Sequence, residues 1–322
     1  MATLGGKVVG PFRQSFRVPH KESVQWFPGH MRKGLRQMQQ KLKSVDIVIE
    51  VHDARVPLSG RHEEFRSTVS GLKPHIFILN KKDLCDMSQA EKIEKKLKNE
   101  GVSNVLWTNF KDQTCKGMQA ILPTALQLIE KSNRYNRSHE DEYAAMIIGV
   151  PNVGKSSLIN RLRNKHLGKG NATAVGGVAG ITRSVLTKIK ISEKPLVYVL
   201  DTPGILAPYV KNVESGLKLA LVGCLQDHLV GPTIIADYLL YWLNKNEKFE
   251  YAEKLGLNGP TDDILELLTI SAVKMGREKK IKRHDGLVTR PDFTYAAEHF
   301  LRIFRNGELG PVCLDNDFLN DL

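Results

Sequence analysis

Asn80-Lys81-Lys82-Asp83 stands ahead of Gly149-Val150-Pro151-Asn152-Val153-Gly154-Lys155-Ser156, and the order of these two stretches decides how the chain is read. The second fits G-x-x-x-x-G-K-[ST], a glycine-rich turn whose backbone N–H groups wrap a β-phosphate. In such a loop Lys155 reaches the β- and γ-phosphates and Ser156 holds Mg²⁺. Asn152, Val153, Gly154 and Ser157 complete the phosphate-side set. Alone, the loop predicts only a nucleotide. Asp201-Thr202-Pro203-Gly204 closes the apolar run Leu196-Val197-Tyr198-Val199-Leu200, so a strand delivers the Asp201 carboxylate towards Mg²⁺ and the Gly204 N–H towards the γ-phosphate. N-K-x-D adds the choice of base. The Asp83 carboxylate accepts from the N1–H and the exocyclic amine of guanine, which adenine does not offer, and this disfavours an ATP-using phosphoryl transferase. Asn80 and Lys81 belong to the same base-side set. Three elements with complementary tasks on one ligand predict a domain that binds GTP and hydrolyses it to GDP and phosphate.

In the ordinary arrangement of such a domain the phosphate loop comes first and N-K-x-D last. Here the base-reading half leads, so a circularly permuted P-loop GTPase fold is expected. Permutation is tolerated where the old termini lie close together on the surface. The polar segment Lys131-Ser132-Asn133-Arg134-Tyr135-Asn136-Arg137-Ser138-His139-Glu140-Asp141-Glu142 has no apolar period and reads as the splice. The D-x-x-G switch then leads directly into the last third of the chain, an order suited to coupling nucleotide state to that part.

Trp26-Phe27-Pro28-Gly29-His30-Met31, Asp53-Ala54-Arg55-Val56-Pro57, the early N-K-x-D and the loop Gly149–Ser157 together resemble the RbgA/YlqF-type circularly permuted GTPases, over residues 24 to 310. The resemblance implies work on the late assembly of the large ribosomal subunit, with rRNA and ribosomal proteins as partners and GTP and GDP as ligands. It also implies that His30 approaches the attacking water, a task suited to an imidazole of near-neutral pKa. Asn152 is the asparagine that, in related proteins, helps to seat a K⁺ ion between phosphates. A helix cap for His30 and turn stabilisation for Asn152 are the plainer alternatives. Thr108-Asn109 occupies the place of the last base contact without the common Ser-Ala pair, leaving a backbone N–H to meet guanine O6. Arg55 belongs to the signature without a role the sequence supplies, beyond a salt bridge that shapes the pocket.

The glycine-rich stretch 168–181 lies between the phosphate-loop helix and the next strand, where a first switch belongs, and Thr182 is its candidate contact to Mg²⁺ and γ-phosphate. The family usually has proline where Ala179 stands. The residue after D-x-x-G, which often orients the water as glutamine, is Ile205. An aliphatic side chain cannot hydrogen-bond, so slow intrinsic turnover stimulated by ribosomal subunits is expected.

The chain has 322 residues, for which about two domains is the prior, and 41% hydrophobic content, ordinary for a globular protein. Its 47 Lys+Arg against 35 Asp+Glu leave a formal charge of +12, which suits a nucleic-acid partner. Cys85, Cys115, Cys224 and Cys313 are scattered without C-x-x-C, so neither a zinc site nor a disulfide framework is indicated. No apolar run approaches the roughly 18 residues of a membrane span. Residues 1–25 are basic, acid-poor up to Glu22 and amphipathic, like a mitochondrial presequence. Localisation in the mitochondrial matrix follows as an expectation, with the matrix face of the inner membrane left open. A basic tail on RNA is the alternative.

Strand and helix alternate up to residue 211, which predicts a mostly parallel sheet covered on both faces. From 212 to 322 the period is helical: 213–225, 234–243, 264–275 and 295–304 carry apolar residues at three- and four-residue steps. The expected organisation is therefore a basic leader (1–25), the permuted GTPase domain (26–211) and an all-α, RNA-binding domain (212–322), in a monomer. Lys279-Lys280-Ile281-Lys282-Arg283-His284, after Lys274 and Arg277, is expected in an inter-helix loop that meets rRNA phosphates. Tyr238, Tyr241 and Trp242 fall on helical spacing and read as core. Two other readings stay open: an RNA-bound scaffold with incidental hydrolysis, and a nucleolar or cytosolic assembly GTPase.

Overall fold

Ile47–Asp53 (β1), His75–Asn80 (β2), Val105–Trp107 (β3), Tyr143–Ile148 (β4), Thr187–Glu193 (β5) and Leu196–Asp201 (β6) form one sheet in the order β3-β2-β1-β4-β6-β5. The computed structural model describes residues 12–18, 42–61, 73–134, 137–171, 187–201, 212–283 and 286–319. Neighbours are parallel except β5, which runs antiparallel to β6 on the edge. β1 is buried at every position and β2 and β4 at all but the first, so both faces of these central strands are covered. The edge strand instead alternates, burying Ile189 and Ile191 and exposing Lys188.

The permutation closes at the centre of this sheet. β1, from before the splice, pairs with β4, from after it, in the register Ile47↔Ala145 to Glu50↔Ile148. The splice is tied down by charge. Asp46, fully buried, receives Arg134 Nε at 3.2 Å and Arg137 Nε at 3.1 Å from the junction, and the Ala144 N–H at 2.8 Å. A buried carboxylate is tolerated only with such partners.

Ala90–Asn99 (α1), Lys116–Glu130 (α2), Lys155–Leu167 (α3) and Val213–Leu221 (α4) accompany the sheet. α1 places Ile93 and Leu97 in a cluster with Phe77, Leu79 and Cys85. The chain divides into two units, and the nucleotide-side unit runs to Leu225 and takes up the chain again from Pro311. The break thus falls after α4 rather than at 211/212. α4 buries Leu217, Leu219, Ala220 and Leu221, and its Lys218 pairs with Asp317 of the returning chain. The return ends in Asn316–Leu319 (α10).

The other unit comprises Asp227–Val230 (α5), Pro232–Lys245 (α6), Glu250–Leu255 (α7), Ile264–Lys274 (α8) and Phe293–Arg305 (α9), with described residues 12–18. α6 packs on α9, and α9 on α8. Tyr238, Tyr241 and Trp242 are buried, as their spacing predicts. Among its described residues the unit is helical apart from one hairpin. Where an inter-helix loop was expected, Glu278–Arg283 (β7) and Gly286–Pro291 (β8) form an antiparallel hairpin. The register sets Lys280 opposite Thr289 and Ile281 opposite Val288.

Residues 12–18, inside the expected leader, dock on this unit. Arg13 bridges Asp237 at 2.8 Å and Asp262 at 2.9 Å, and Phe16 meets Tyr238 edge-on at 5.2 Å. The remainder of 1–25 lies outside the described residues. Among the described residues no helix is long and apolar enough to cross a membrane.

Candidate functional site

The parallel register brings the C-terminal ends of β1, β2, β3, β4 and β6 to one edge of the sheet, where an α/β sheet takes its ligands. Each strand end there carries a singled-out residue: Asp53, Asn80, Thr108, the phosphate loop and Asp201. The β4–β6 register sets Asp201 opposite Ile147, two residues before Gly149. Strand β6 thus delivers its last residue beside the phosphate loop, as the strand-then-D-x-x-G pattern predicts.

The two glycines of the loop are required by different neighbours. Gly149 has φ +145°, and a Cβ there would lie 2.2 Å from the Val51 carbonyl oxygen of β1. Gly154 has φ +108°, and its Cβ would lie 2.5 Å from Asn80 Nδ2. Each glycine is therefore pressed against the half of the chain that precedes the splice. α3 begins at Lys155, so its first N–H groups open onto the loop, a ready site for phosphate. Lys155 is buried, with Nζ donating to the Gly149 and Val150 carbonyls at 3.1 and 3.0 Å. Ser156 and Ser157 are half-buried in the first turn of α3.

Asn80 joins the halves. Its amide donates to the Val153 carbonyl at 2.7 Å, and its Oδ1 accepts from the Phe110 N–H at 3.2 Å and from Thr108 Oγ1 at 3.4 Å. Thr108 is fully buried, so its side chain serves Asn80 rather than an open pocket. The Thr108 N–H is spent on the Leu79 carbonyl. The next one, of Asn109, points at Cys115 Sγ at 3.3 Å, a weak acceptor that a better one displaces. Of this pair, the Asn109 N–H is the donor suited to a guanine carbonyl.

Lys81 has left-handed backbone, φ 62° and ψ 40°, at the head of the 3₁₀ turn Lys82–Leu84. That turn leaves Asp83 exposed. Lys81 Nζ lies 2.9 Å from Asp53 Oδ2, and Asp53 also takes Arg55 Nε at 2.9 Å and Nη2 at 2.8 Å. Burial opposes ionisation of Asp53, but the Arg55 and Lys81 charges outweigh it and hold the carboxyl well below the usual carboxylate range. The ion pair surmised for Arg55 is thus present, and sequence reasoning missed its third member, Lys81. Burial pushes the neighbouring Cys224 thiol up to about 12.

Asn152, at φ 60°, donates from Nδ2 to the Gly223 carbonyl at 2.7 Å. This bond anchors the loop to the turn after α4. His30, Thr182, Gly204 and Ile205 lie outside the described residues, as does the side chain of Asp201.

A strand-delivered acid, a glycine loop opening onto a helix N-terminus and an N-K-x-D turn, bound together across a splice, define a circularly permuted GTPase. Residues 144–257 match the family described as 50S ribosome-binding GTPase. Over 309 residues the chain is 56% identical to mitochondrial GTPase 1 of Aedes aegypti, covering 95% of this chain and 98% of that one. It is 49% identical over 322 residues to mitochondrial ribosome-associated GTPase 1 of Bos taurus, covering 98% and 96%. The GDP-bound structure of YlqF superposes with a TM-score of 0.54 at 25% identity, over 87% of this chain and 98% of that chain. The chain belongs to the mitochondrial GTPase 1 branch of the RbgA/YlqF-type GTPases, and it hydrolyses GTP.

Proposed function

We propose that this GTPase associates with the ribosome in mitochondria and acts in the matrix on the maturing large subunit, in support of mitochondrial translation. GTP favours the docked state and hydrolysis favours release. The observation that carries the nucleotide half is the Asn80–Val153 bond: it ties base reading to phosphate binding, so both respond to one ligand. On this reading Asp83 reads the guanine edge with the Asn109 N–H, and Lys155 neutralises the phosphates. Asn152, Val153, Gly154, Ser156 and Ser157 wrap them.

The donor set fits Mg²⁺. The first turn of α3 opens from the loop at Lys155, and Ser156 with Asp201 and Thr182 offers the hard oxygens this ion prefers. When bound, Mg²⁺ neutralises charge on the β- and γ-phosphate oxygens. Asn152 takes the K⁺ role through its amide oxygen, consistent with an amide nitrogen directed at Gly223. His30 is assigned to the water, in place of the glutamine that Ile205 replaces.

The names of the relatives and of the matched family support the ribosomal partner. The formal charge of +12 and the hairpin support contact with rRNA: Lys279, Lys280 and Arg290 are exposed, as are Lys274 and Arg277 beside it. Backbone and shape are the features such a ribbon reads. The protein acts as a monomer, with any inner-membrane contact peripheral.

The test is GTP hydrolysis by the purified protein with and without mitochondrial large subunits, in KCl and then in NaCl. Subunit stimulation that depends on K⁺ is expected; tight GTP binding without stimulation in either salt overturns the switch. Ile205 favours one second reading, an RNA-bound scaffold with incidental hydrolysis. Lys155→Ala separates the two, since a scaffold tolerates loss of phosphate binding and a switch does not.

A further inference from the structure

The segment that re-enters the nucleotide-side unit at Pro311 grips the two loops that flank the base-reading turn. Val312 donates its N–H to the Leu84 carbonyl at 3.0 Å and accepts the Asp86 N–H at 3.3 Å, straddling Cys85, the second residue after Asp83. Leu314 donates to the Arg55 carbonyl at 2.8 Å. Asp315, with no exposed surface, accepts the Leu58 and Ser59 N–H groups on Oδ2 at 2.8 and 2.9 Å, and Ser59 Oγ on Oδ1 at 2.5 Å. Lys218 Nζ stands 3.7 Å from Asp315 and 2.6 Å from Asp317. Leu319 then buries itself beside Ala54 and Cys85.

Asp315 thus satisfies three donors of the loop that follows Asp53-Ala54-Arg55. That loop sets Arg55, which donates to both carboxylate oxygens of Asp53, and Lys81 shares Oδ2 with the Arg55 Nη2. A left-handed backbone is unfavourable for a non-glycine residue, and Lys81 adopts one, so the turn that presents Asp83 needs such restraints. It is restrained before Asp83 through Lys81 and after it through Val312. We propose that Asp315 is a positioning residue for guanine recognition, and that segment 311–319 is the clamp through which it acts. The proposal rests on the assignment of Asp83 as the guanine reader.

The experiment compares GDP with IDP, which lacks the exocyclic amine that Asp83 reads, by competition against a fluorescent GDP analogue on the full chain. In Asp315→Asn the Kd for GDP is expected to rise about tenfold, equivalent to about 1.4 kcal/mol. IDP affinity falls less, so the preference for GDP shrinks. A lowered melting temperature with an unchanged GDP-to-IDP ratio overturns the clamp, because a merely structural role moves stability and not base discrimination. Where Asp315→Asn yields no folded protein, Ser59→Ala removes one donor, and its ratio shifts the same way by less; an unchanged ratio in folded Ser59→Ala overturns the proposal equally. Asp83→Asn is the companion: its preference for GDP collapses. A preference retained in Asp83→Asn overturns the base-reading assignment, and the proposal with it. A preference lost in Asp83→Asn and kept in Asp315→Asn overturns the clamp alone.

Discussion

At the scale of the residue, Gly154 and Asn80 decide whether two distant parts of the chain make one site. Gly154→Ala places a Cβ 2.5 Å from Asn80 Nδ2 at a φ of +108°. The substitution should weaken GTP binding by at least tenfold, read by fluorescent-nucleotide titration, at a cost of about 1–3 kcal/mol in the backbone. Asn80→Ala leaves the Val153 carbonyl and the Phe110 N–H without their partner, a loss of about 1–3 kcal/mol that GTP titration and thermal melting both register. The acidic side of the stability profile belongs to this scale too. Glu50 is buried, and although desolvation opposes its ionisation, hydrogen bonds from His52 and His75 hold it well below the usual range, as Arg55 and Lys81 hold Asp53. A carboxyl with a depressed folded pKa lends stability above its unfolded pKa and loses it as pH falls towards the folded value. Urea midpoints should therefore drop below about pH 4, and Asp53→Asn should flatten that drop while lowering the plateau.

At the scale of the element, the hairpin is the clearest departure from expectation. The run Lys279–His284 reads from sequence as a charged loop because lysine has weak strand preference. Pairing of Glu278–Arg283 with Gly286–Pro291 overrides that, from Arg283 opposite Gly286 at the turn to Glu278 opposite Pro291 at the open end. With the RNA contact as proposed, Lys279→Glu with Lys280→Glu should weaken subunit binding and reduce the slope of log K against log salt by about 2, measured by filter binding across a KCl series. Residues 12–18 make a second departure. Their basic, aromatic composition is that of a leader, yet Arg13 pairs with acids 224 and 249 residues away and Phe16 packs on α6. Phe16→Ala should destabilise the helical unit by about 2–4 kcal/mol, seen as a lower urea midpoint by tyrosine fluorescence.

At the scale of the whole molecule, the chain leaves the nucleotide-side unit after Leu225 and returns to it at Pro311, and the helical unit is built from residues 226–310 together with the N-terminal segment, so each unit draws on two stretches of sequence. The permutation itself rests on Asp46 and the two junction arginines. Arg137→Ala beside Arg134→Ala strands a buried carboxylate and should cost about 3–5 kcal/mol; a melting temperature within two degrees of the parent would exclude that role for the splice.

What the sequence by itself determined is the set of local signals. Turn chemistry, strand period and fixed spacings within a few residues announce the phosphate loop, the N-K-x-D turn, their inverted order and the polar splice. Those signals suffice for the class because each answers a different part of one ligand: phosphates, metal and base. Only the tertiary structure decided the pairings between residues far apart in sequence: Asn80 with Val153, Lys81 with Asp53, Asp46 with Arg137, and Asp315 with Leu58 and Ser59. A buried aspartate and a solvated one look alike in a sequence, and burial gives the contact its strength.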